Sequence, residues 1–295
     1  MAKYINSIVI TEIESNTRLD RYLVNSLNIP QGLVQKDLRK GLIRVNEKKI
    51  SGSYRIQKED IIQFAKEYSE NKPKEKIPPN KKDLGLLKKS IIYSCDDFFI
   101  INKWNKIAVQ GGSGLKTNLD DILYHGHLFK NRPLLVHRLD KDTSGILIFA
   151  LNRKSAKYFS DLFSERKIEK IYEAIVIGEP KDNEGIFENH VEEDGKTYLA
   201  ETKYKIIKRL PNDLTHIELR PTTGRKHQLR IHCKLNGLPI LGDNKYYLPI
   251  SKVYKNENNL ILHAKKIIFN DQNGVLVKVE AKLPKYFFNY IWLFT

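Results

Sequence analysis

Cysteine is scarce in this chain: Cys95 and Cys233 are the only two among 295 residues. That count excludes a disulfide-stapled scaffold and suits a reducing, cytoplasmic compartment. No apolar run approaches the roughly 20 residues of a membrane-spanning helix, so no membrane partner is expected. The stretch Met1–Ile10 is briefly apolar but soon meets Glu12 and Glu14, too short and too polar for a signal peptide. No internal repeat is present. Acidic residues are also in deficit, with 35 Asp and Glu against 51 Lys and Arg, a formal charge of +16 at pH 7. A surplus of this size favours a polyanionic partner, most simply nucleic acid. What is present is enough for a substantial core, since 41% of residues are hydrophobic. The length allows two domains or one large one.

Residues 17–65 form a first unit on pattern grounds. Arg18–Leu27 reads as a helix with Leu19, Tyr22, Leu23 and Leu27 on one face, capped by Asn16 or Thr17. Pro30 opens a second helix over Gln31–Lys40, which Gly41 is placed to end. A strand at Leu42–Val45, a turn at Asn46–Lys49 and a strand at Asp60–Phe64 complete the unit. Its basic residues cluster: Arg18, Arg21, Lys36, Arg39, Lys40, Arg44, Lys48 and Lys49 surround the helices and the hairpin. Such a surface suits a phosphate backbone. Arg18-Leu19-Asp20-Arg21-Tyr22-Leu23 and Leu38–Asn46 resemble the S4 RNA-binding module, which implies an RNA ligand but no particular reaction. Residues 66–90 are rich in Lys, Glu, Asn and Pro and read as an exposed, extended linker.

From residue 91 to 295 the pattern is strand-rich with interspersed helices. Strands are expected at Ile91–Ser94, Phe98–Asn102, Gly145–Leu151, Ile171–Ile177, Thr202–Lys208, His216–Arg220, Leu260–Phe269 and Val275–Glu280. Helices are expected at Leu119–His125, Lys154–Glu165, Arg225–Leu235 and Pro284–Leu293. Without regular βαβ alternation, this reads as an α+β domain with a mixed, mostly antiparallel sheet.

Three stretches carry candidate chemistry. In the first, apolar Leu134-Leu135-Val136 leads into the charged turn His137-Arg138-Leu139-Asp140-Lys141-Asp142-Thr143-Ser144-Gly145, and Ile146–Phe149 leads out. A carboxylate on a turn between buried strands is a candidate nucleophile or base, and Asp140 is that carboxylate. Asp140–Ser144 also comes close to the D-x-D-x-T pattern of Mg-dependent haloacid-dehalogenase-type phosphatases. Ser144 stands where Thr is wanted, His137-Arg138 interrupts the preceding apolar strand, and Asp243 is only a weak further metal ligand.

In the second, Thr223–His232 opens a helix in which Arg230 can supply a fixed charge to a carboxylate. His227, His232 and Cys233 lack a second group at ligand spacing, so no metal is expected and these histidines read as structural. In the third, Lys170–Val176, alternation puts Tyr172, Ala174 and Val176 on one face, where Tyr172 can stack on a base. Gly111–Thr117 has the look of a phosphate loop, but Leu115 separates Gly114 from Lys116 and a tight turn is the better reading.

In this order the three stretches resemble the RluA-type RNA pseudouridine synthases, most closely the RluC branch that acts on large-subunit ribosomal RNA. One departure is Trp104, where that family usually carries Pro. The resemblance implies that Asp140 is the catalytic aspartate, Tyr172 stacks on the target uracil and Arg230 pairs with Asp140. It implies that Arg138 fills the gap left by an extruded base and that Ile231 helps line the pocket. An isomerisation of this kind needs no net redox or energy input, so no cofactor is expected. The competing readings are a non-catalytic RNA-binding or ribosome-assembly protein and the phosphatase.

Overall fold

In the computed structural model, residues 4–68, 81–111, 117–126, 128–193, 195–254 and 257–291 are described. The chain divides into two compact units, Met1–Ile77 and Pro78–Thr295.

The first unit sets two helices against a small sheet. Strand β1 (Asn6–Val9) precedes helices α1 (Leu19–Leu27) and α2 (Gln31–Lys40), then β2 (Ile43–Val45) and β3 (Ile61–Phe64). The sheet order is β1-β3-β2, antiparallel throughout. Leu19, Leu23, Val34 and Leu38 bury the apolar stripes of the two helices against Ile43, Val45, Ile56 and Ile62. Gly41 ends α2 in the left-handed conformation as expected. Neither Asn16 nor Thr17 caps α1. The cap position is Arg18, which makes no side-chain cap, and the Leu19 and Asp20 N–H groups donate instead to the Tyr54 and Gly52 carbonyls. The unit also begins before residue 17, because β1 hydrogen-bonds along β3.

The linker expected over residues 66–90 is corrected at its end. Residues 69–80 lie outside the described ones, but Lys81–Ser90 is a helix, α3. Leu84 and Leu87 fall on one side of it, and Leu87 is fully buried in the second unit's core. The lysines around them hid that short apolar stripe.

The second unit continues with β4 (Ile91–Ser94), β5 (Phe98–Lys103), α4 (Leu119–Gly126), β6 (Leu134–Leu135) and β7 (Ser144–Ala150). Then come α5 (Arg153–Ser164), β8 (Glu169–Ile177), β9 (Glu184–Glu193), β10 (Lys196–Leu210) and β11 (Leu214–Pro221). Helix α6 (Gln228–Leu235), a short 3-10 helix (Pro249–Tyr254), β12 (Leu262–Asn270), β13 (Leu276–Glu280) and α7 (Lys285–Ile291) finish the chain. The sheet runs β4-β5-β7-β12-β8-β11-β10-β9, with β6 on β7 and β13 on β12. Among the described residues its one parallel strand pair is β7·β12 and every other strand pair is antiparallel. This is the mixed, mostly antiparallel sheet that the pattern implies. Strand β6 is the apolar stretch that leads into the charged turn, whereas β9 and the 3-10 helix have no counterpart among the expected elements. No helix among the described residues is long and apolar enough to cross a membrane.

Two features of the sheet place the functional residues. Strand β7 is buried along its whole length, so the charged turn before it is delivered at a fixed point. Gly145, Ala264 and Tyr172 then form one row across β7, β12 and β8.

Candidate active site

The turn His137–Thr143 is held from both sides. His137 accepts a hydrogen bond at Nε2 from the Ile148 N–H at 2.9 Å, and its ring lies against Phe163. Burial, and then the Lys170 charge, push its pKa down to about 3, so the ring is a neutral acceptor at working pH. Beneath the turn lies Lys103, the last residue of β5 and fully buried. Its Nζ donates to the carbonyls of Trp104, Ile107 and Lys141 at 3.1, 3.2 and 3.1 Å. Three carbonyl dipoles use all three ammonium donors. Burial still pushes its pKa down to about 7, against the opposing charges of Asp142 and Asp140. Trp104, the departure from the family pattern, packs against the core and offers one of those carbonyls. At the far end of the turn, Tyr286 donates to Ser144 Oγ at 2.9 Å, and Ser144 Oγ lies 2.8 Å from His263 Nδ1.

Asp140 opens into a cleft of about 1170 Å³ that Arg138, Tyr172, His227, Arg230 and Leu262 also line. Arg230, largely buried on α6, places Nη1 3.4 Å from Asp140 Oδ2. The contact between positions 140 and 230 is therefore present, but it is long. The closer partner of Arg230 is Asp243, with Nε to Oδ2 at 2.7 Å and Nη2 to Oδ1 at 2.8 Å. This two-pronged pair is the strong geometry for a guanidinium. Burial opposes both charges, but Arg230 and the backbone N–H groups of Tyr246 and Lys245 hold the Asp243 carboxyl below its usual range. Asp243 is thus the anchor of Arg230, a role the sequence reading did not assign to it.

The reading of His227 as a structural histidine is corrected. It is the residue before α6, in the left-handed conformation at φ 57°, and Nε2 stands 3.5 Å from Asp140 Oδ1. Its Nδ1 lies 2.8 Å from the Tyr246 hydroxyl. The helix begins at Gln228 and not at Arg225 because the Gln228 side chain ties the preceding loop down. Its Oε1 accepts from the Arg225 N–H and the Thr223 hydroxyl, while Nε2 donates to the Glu201 carbonyl and Thr202. Glutamine in a basic stretch gave no sign of this. His232 and Cys233 are buried in the interior, as structural residues would be.

Tyr172 packs with Ala174, Val176, Ile217 and Leu219, the face that alternation indicated. Burial, reinforced by the Asp140 charge, pushes its hydroxyl pKa up and keeps the phenol neutral. Arg138 is exposed at the cleft and makes no ion pair among the described residues. Ile231 is not among the cleft-lining residues. One position along α6 from Arg230 turns it about 100° away, and Leu229 and Leu262 form the apolar wall instead. The phosphatase arrangement fails here. A guanidinium and an imidazole face Asp140, Arg230 occupies Asp243, and the described residues hold no cluster of three metal-ligating side chains. The loop-like stretch at 112–116 lies outside the described residues.

In the first unit, Arg21, Lys36, Arg39, Lys40, Lys48 and Lys49 are exposed. Arg18 is spent on an ion pair with buried Asp20 at 2.7 Å. Arg44 is half-buried, donating to the Glu47 carbonyl at 3.0 Å and lying over the Tyr4 ring.

A carboxylate on a buried strand's entry turn, faced by a fixed guanidinium and an aromatic wall in a cationic cleft, defines a class of RNA-modifying enzyme. The family model described as RNA pseudouridylate synthase matches residues 97–235, and the S4 domain model matches residues 17–62. The chain belongs to the RNA pseudouridylate synthase family. It is 38% identical over 300 residues to a ribosomal large subunit pseudouridine synthase C of Rickettsia bellii, covering 92% of this chain and 96% of that protein. The protein of the same name from Vibrio vulnificus is 33% identical over 281 residues, covering 90% and 88%. Among solved structures, human RNA pseudouridylate synthase domain containing 4 superposes with a TM-score of 0.59 at 27% identity, over 70% of this chain and 93% of that one.

Proposed function

We propose that this protein isomerises uridines to pseudouridine in large-subunit ribosomal RNA, with Asp140 as the catalytic group. The reaction breaks the C1′–N1 bond, turns the uracil and joins its C5 to C1′. The C5 proton is lost and N1 gains one, so atoms balance without a co-reactant. The carboxylate acts at the sugar, as nucleophile at C1′ or as base at C2′. The base must leave its stack, at a cost of a few kcal/mol. Tyr172 provides a neutral aromatic wall for the detached uracil, and Arg138 is free to fill the space it vacates. The exposed cations of the S4 unit, Arg21, Lys36, Arg39, Lys40, Lys48 and Lys49, supply phosphate contacts, joined by what Arg18 and Arg44 have left to offer. A ribosomal RNA substrate and two free cysteines support a cytoplasmic location.

The observation that carries this reading is the placement of Asp140 in one cleft with Tyr172, its two oxygens faced by Arg230 and His227. The test is Asp140→Asn, assayed by tritium release from large-subunit ribosomal RNA labelled at uridine C5. Release should vanish while RNA binding persists, and a variant that still releases tritium would remove Asp140 from its role.

A further inference from the structure

We infer that the turn Asp243–Tyr246 is the positioning element of the active site, setting Arg230 and His227 and through them the two oxygens of Asp140. The inference rests on Asp140 being the catalytic group. Asp243 and Tyr246 do not themselves line the cleft but lie behind Arg230 and His227, which do, so their effect is exerted through those two residues.

Asp243 does two things. Its carboxylate takes the Nε and Nη2 edge of Arg230, leaving only Nη1 pointed at Asp140. It also offsets the Arg230 charge, so that Asp140 feels a guanidinium already half-satisfied. Asp243 Oδ1 in turn accepts from the Lys245 and Tyr246 N–H groups, both at 2.9 Å, which fixes the carboxylate on its own turn. Tyr246 holds the other arm. A carboxylate can only accept, so a neutral His227 meets Asp140 favourably with its proton on Nε2. Nδ1 must then accept, and the Tyr246 hydroxyl is there to donate at 2.8 Å. Burial, together with the charges of Arg230, Lys245 and Lys226, holds the His227 pKa below its ordinary value against the attraction of Asp140. The tyrosine ring also lies beneath the Arg230 guanidinium at 5.0 Å, so both arms meet on one side chain. The left-handed backbone at His227 marks the same point, since a non-glycine residue is held there only when its surroundings demand it.

Among the described residues, the charged and titratable groups around Asp140 are Arg230 from α6, His227 just before it, Tyr172 from β8, Lys103 from β5, and Arg138 and Asp142 on its own turn. Of these, Arg230 is the one that Asp243→Asn alters directly. The guanidinium loses its two-pronged anchor, and Nη1 is no longer held at its place opposite Asp140.

The experiment measures kcat and KM of tritium release on the labelled ribosomal RNA, with the folded fraction by circular dichroism, for wild type, Asp140→Asn, Asp243→Asn and Tyr246→Phe. Asp243→Asn should lower kcat by roughly 10²-fold, the cost of a misplaced reacting group. KM should stay within about twofold, because RNA contacts are untouched. Tyr246→Phe should lower kcat by about fivefold at unchanged KM, one neutral hydrogen bond's worth. A merely structural role would lower kcat only in step with the folded fraction read by circular dichroism, and that result overturns the inference. Wild-type kcat in either variant overturns it too. If Asp243→Asn fails to fold by circular dichroism, Tyr246→Phe decides alone. An inactive Asp140→Asn beside unaffected turn variants would sink only this inference, whereas an active Asp140→Asn would sink the reading beneath it.

Discussion

Replacing Gly145 with Ala is the sharpest test of how the sheet delivers the Asp140 turn. Gly145 sits at φ 110°, where a side chain is strained. An added Cβ would lie 2.3 Å from the Ala264 carbonyl oxygen, 2.5 Å from its nitrogen and 2.7 Å from its carbonyl carbon. These are backbone atoms of β12, roughly 1 Å short of van der Waals contact, and no rotamer change relieves them. The conformational cost is about 1–2 kcal/mol and forced overpacking adds about 1–3, so the total is about 2–5 kcal/mol. In a domain of this size, that lowers the melting temperature by roughly 4–20 °C. The control is Gly237→Ala, at φ 77° with nothing within 4 Å of its would-be Cβ, which isolates the conformational term. Because Gly145, Ala264 and Tyr172 share one row, a displaced β12 also displaces Tyr172. A shift of about 1 Å at a reacting wall costs roughly 10²-fold in kcat. Thermal melts followed by circular dichroism, with tritium release on the survivors, read both effects. A Gly145→Ala protein that melts with the Gly237→Ala control and turns over normally would refute the reasoning.

Acid should destabilise the protein before its carboxylates titrate. Burial holds His137 and His263 near 3 and His232 near 4, all below the ordinary 6.5. Above pH ~6.5 neither state is protonated at these rings; below it the unfolded chain takes up protons that the folded one refuses, so stability falls as pH drops toward the folded values. At pH 5.5 this amounts to about 1.4 kcal/mol for each ring, and a urea midpoint unchanged between pH 7.5 and 5.5 would count against it. In the S4 unit, joint Arg39→Gln and Lys40→Gln replacement should flatten the plot of log K against log salt by about 1.5 for ribosomal RNA binding. Filter binding across a salt series measures it, and an unchanged slope would show that this face is not a phosphate clamp.

Much of the architecture was legible because the burial pattern and the periodicity agree. Strands β4, β5, β7, β8 and β11 and helix α2 fall where alternation, apolar runs and flanking Pro or Gly put them. The missed elements each lack that agreement. Strand β9 alternates charged residues with Ile186, Phe187 and Val191 on an exposed edge, so it reads as polar loop. Helix α3 shows only Leu84 and Leu87 to the core amid lysines. Strand β1 buries almost none of its side chains and is a strand only because β3 offers its edge.

The site divides in the same way, and the division has a physical cause. Asp140, Tyr172 and Arg230 stand in dense local patterns, and local density is what a one-dimensional reading detects. Asp243 and Tyr246 act across the space between a turn and a helix, where nothing in their immediate neighbours distinguishes them from loop residues. His227 was visible but was weighed as a lone histidine, and its significance comes from a carboxylate 87 positions earlier in the chain. Charge could not disclose the pairing either, because Arg230 has two carboxylates within 3.4 Å and the sequence does not say which one it anchors to. Distance decides: the bonds of 2.7 and 2.8 Å go to Asp243, and the slack contact is left at Asp140. A reacting carboxylate is better served by the slack one. A guanidinium locked on Asp140 would spend its charge before the substrate arrived, whereas one anchored elsewhere keeps a donor poised for the moment the sugar's own charge develops.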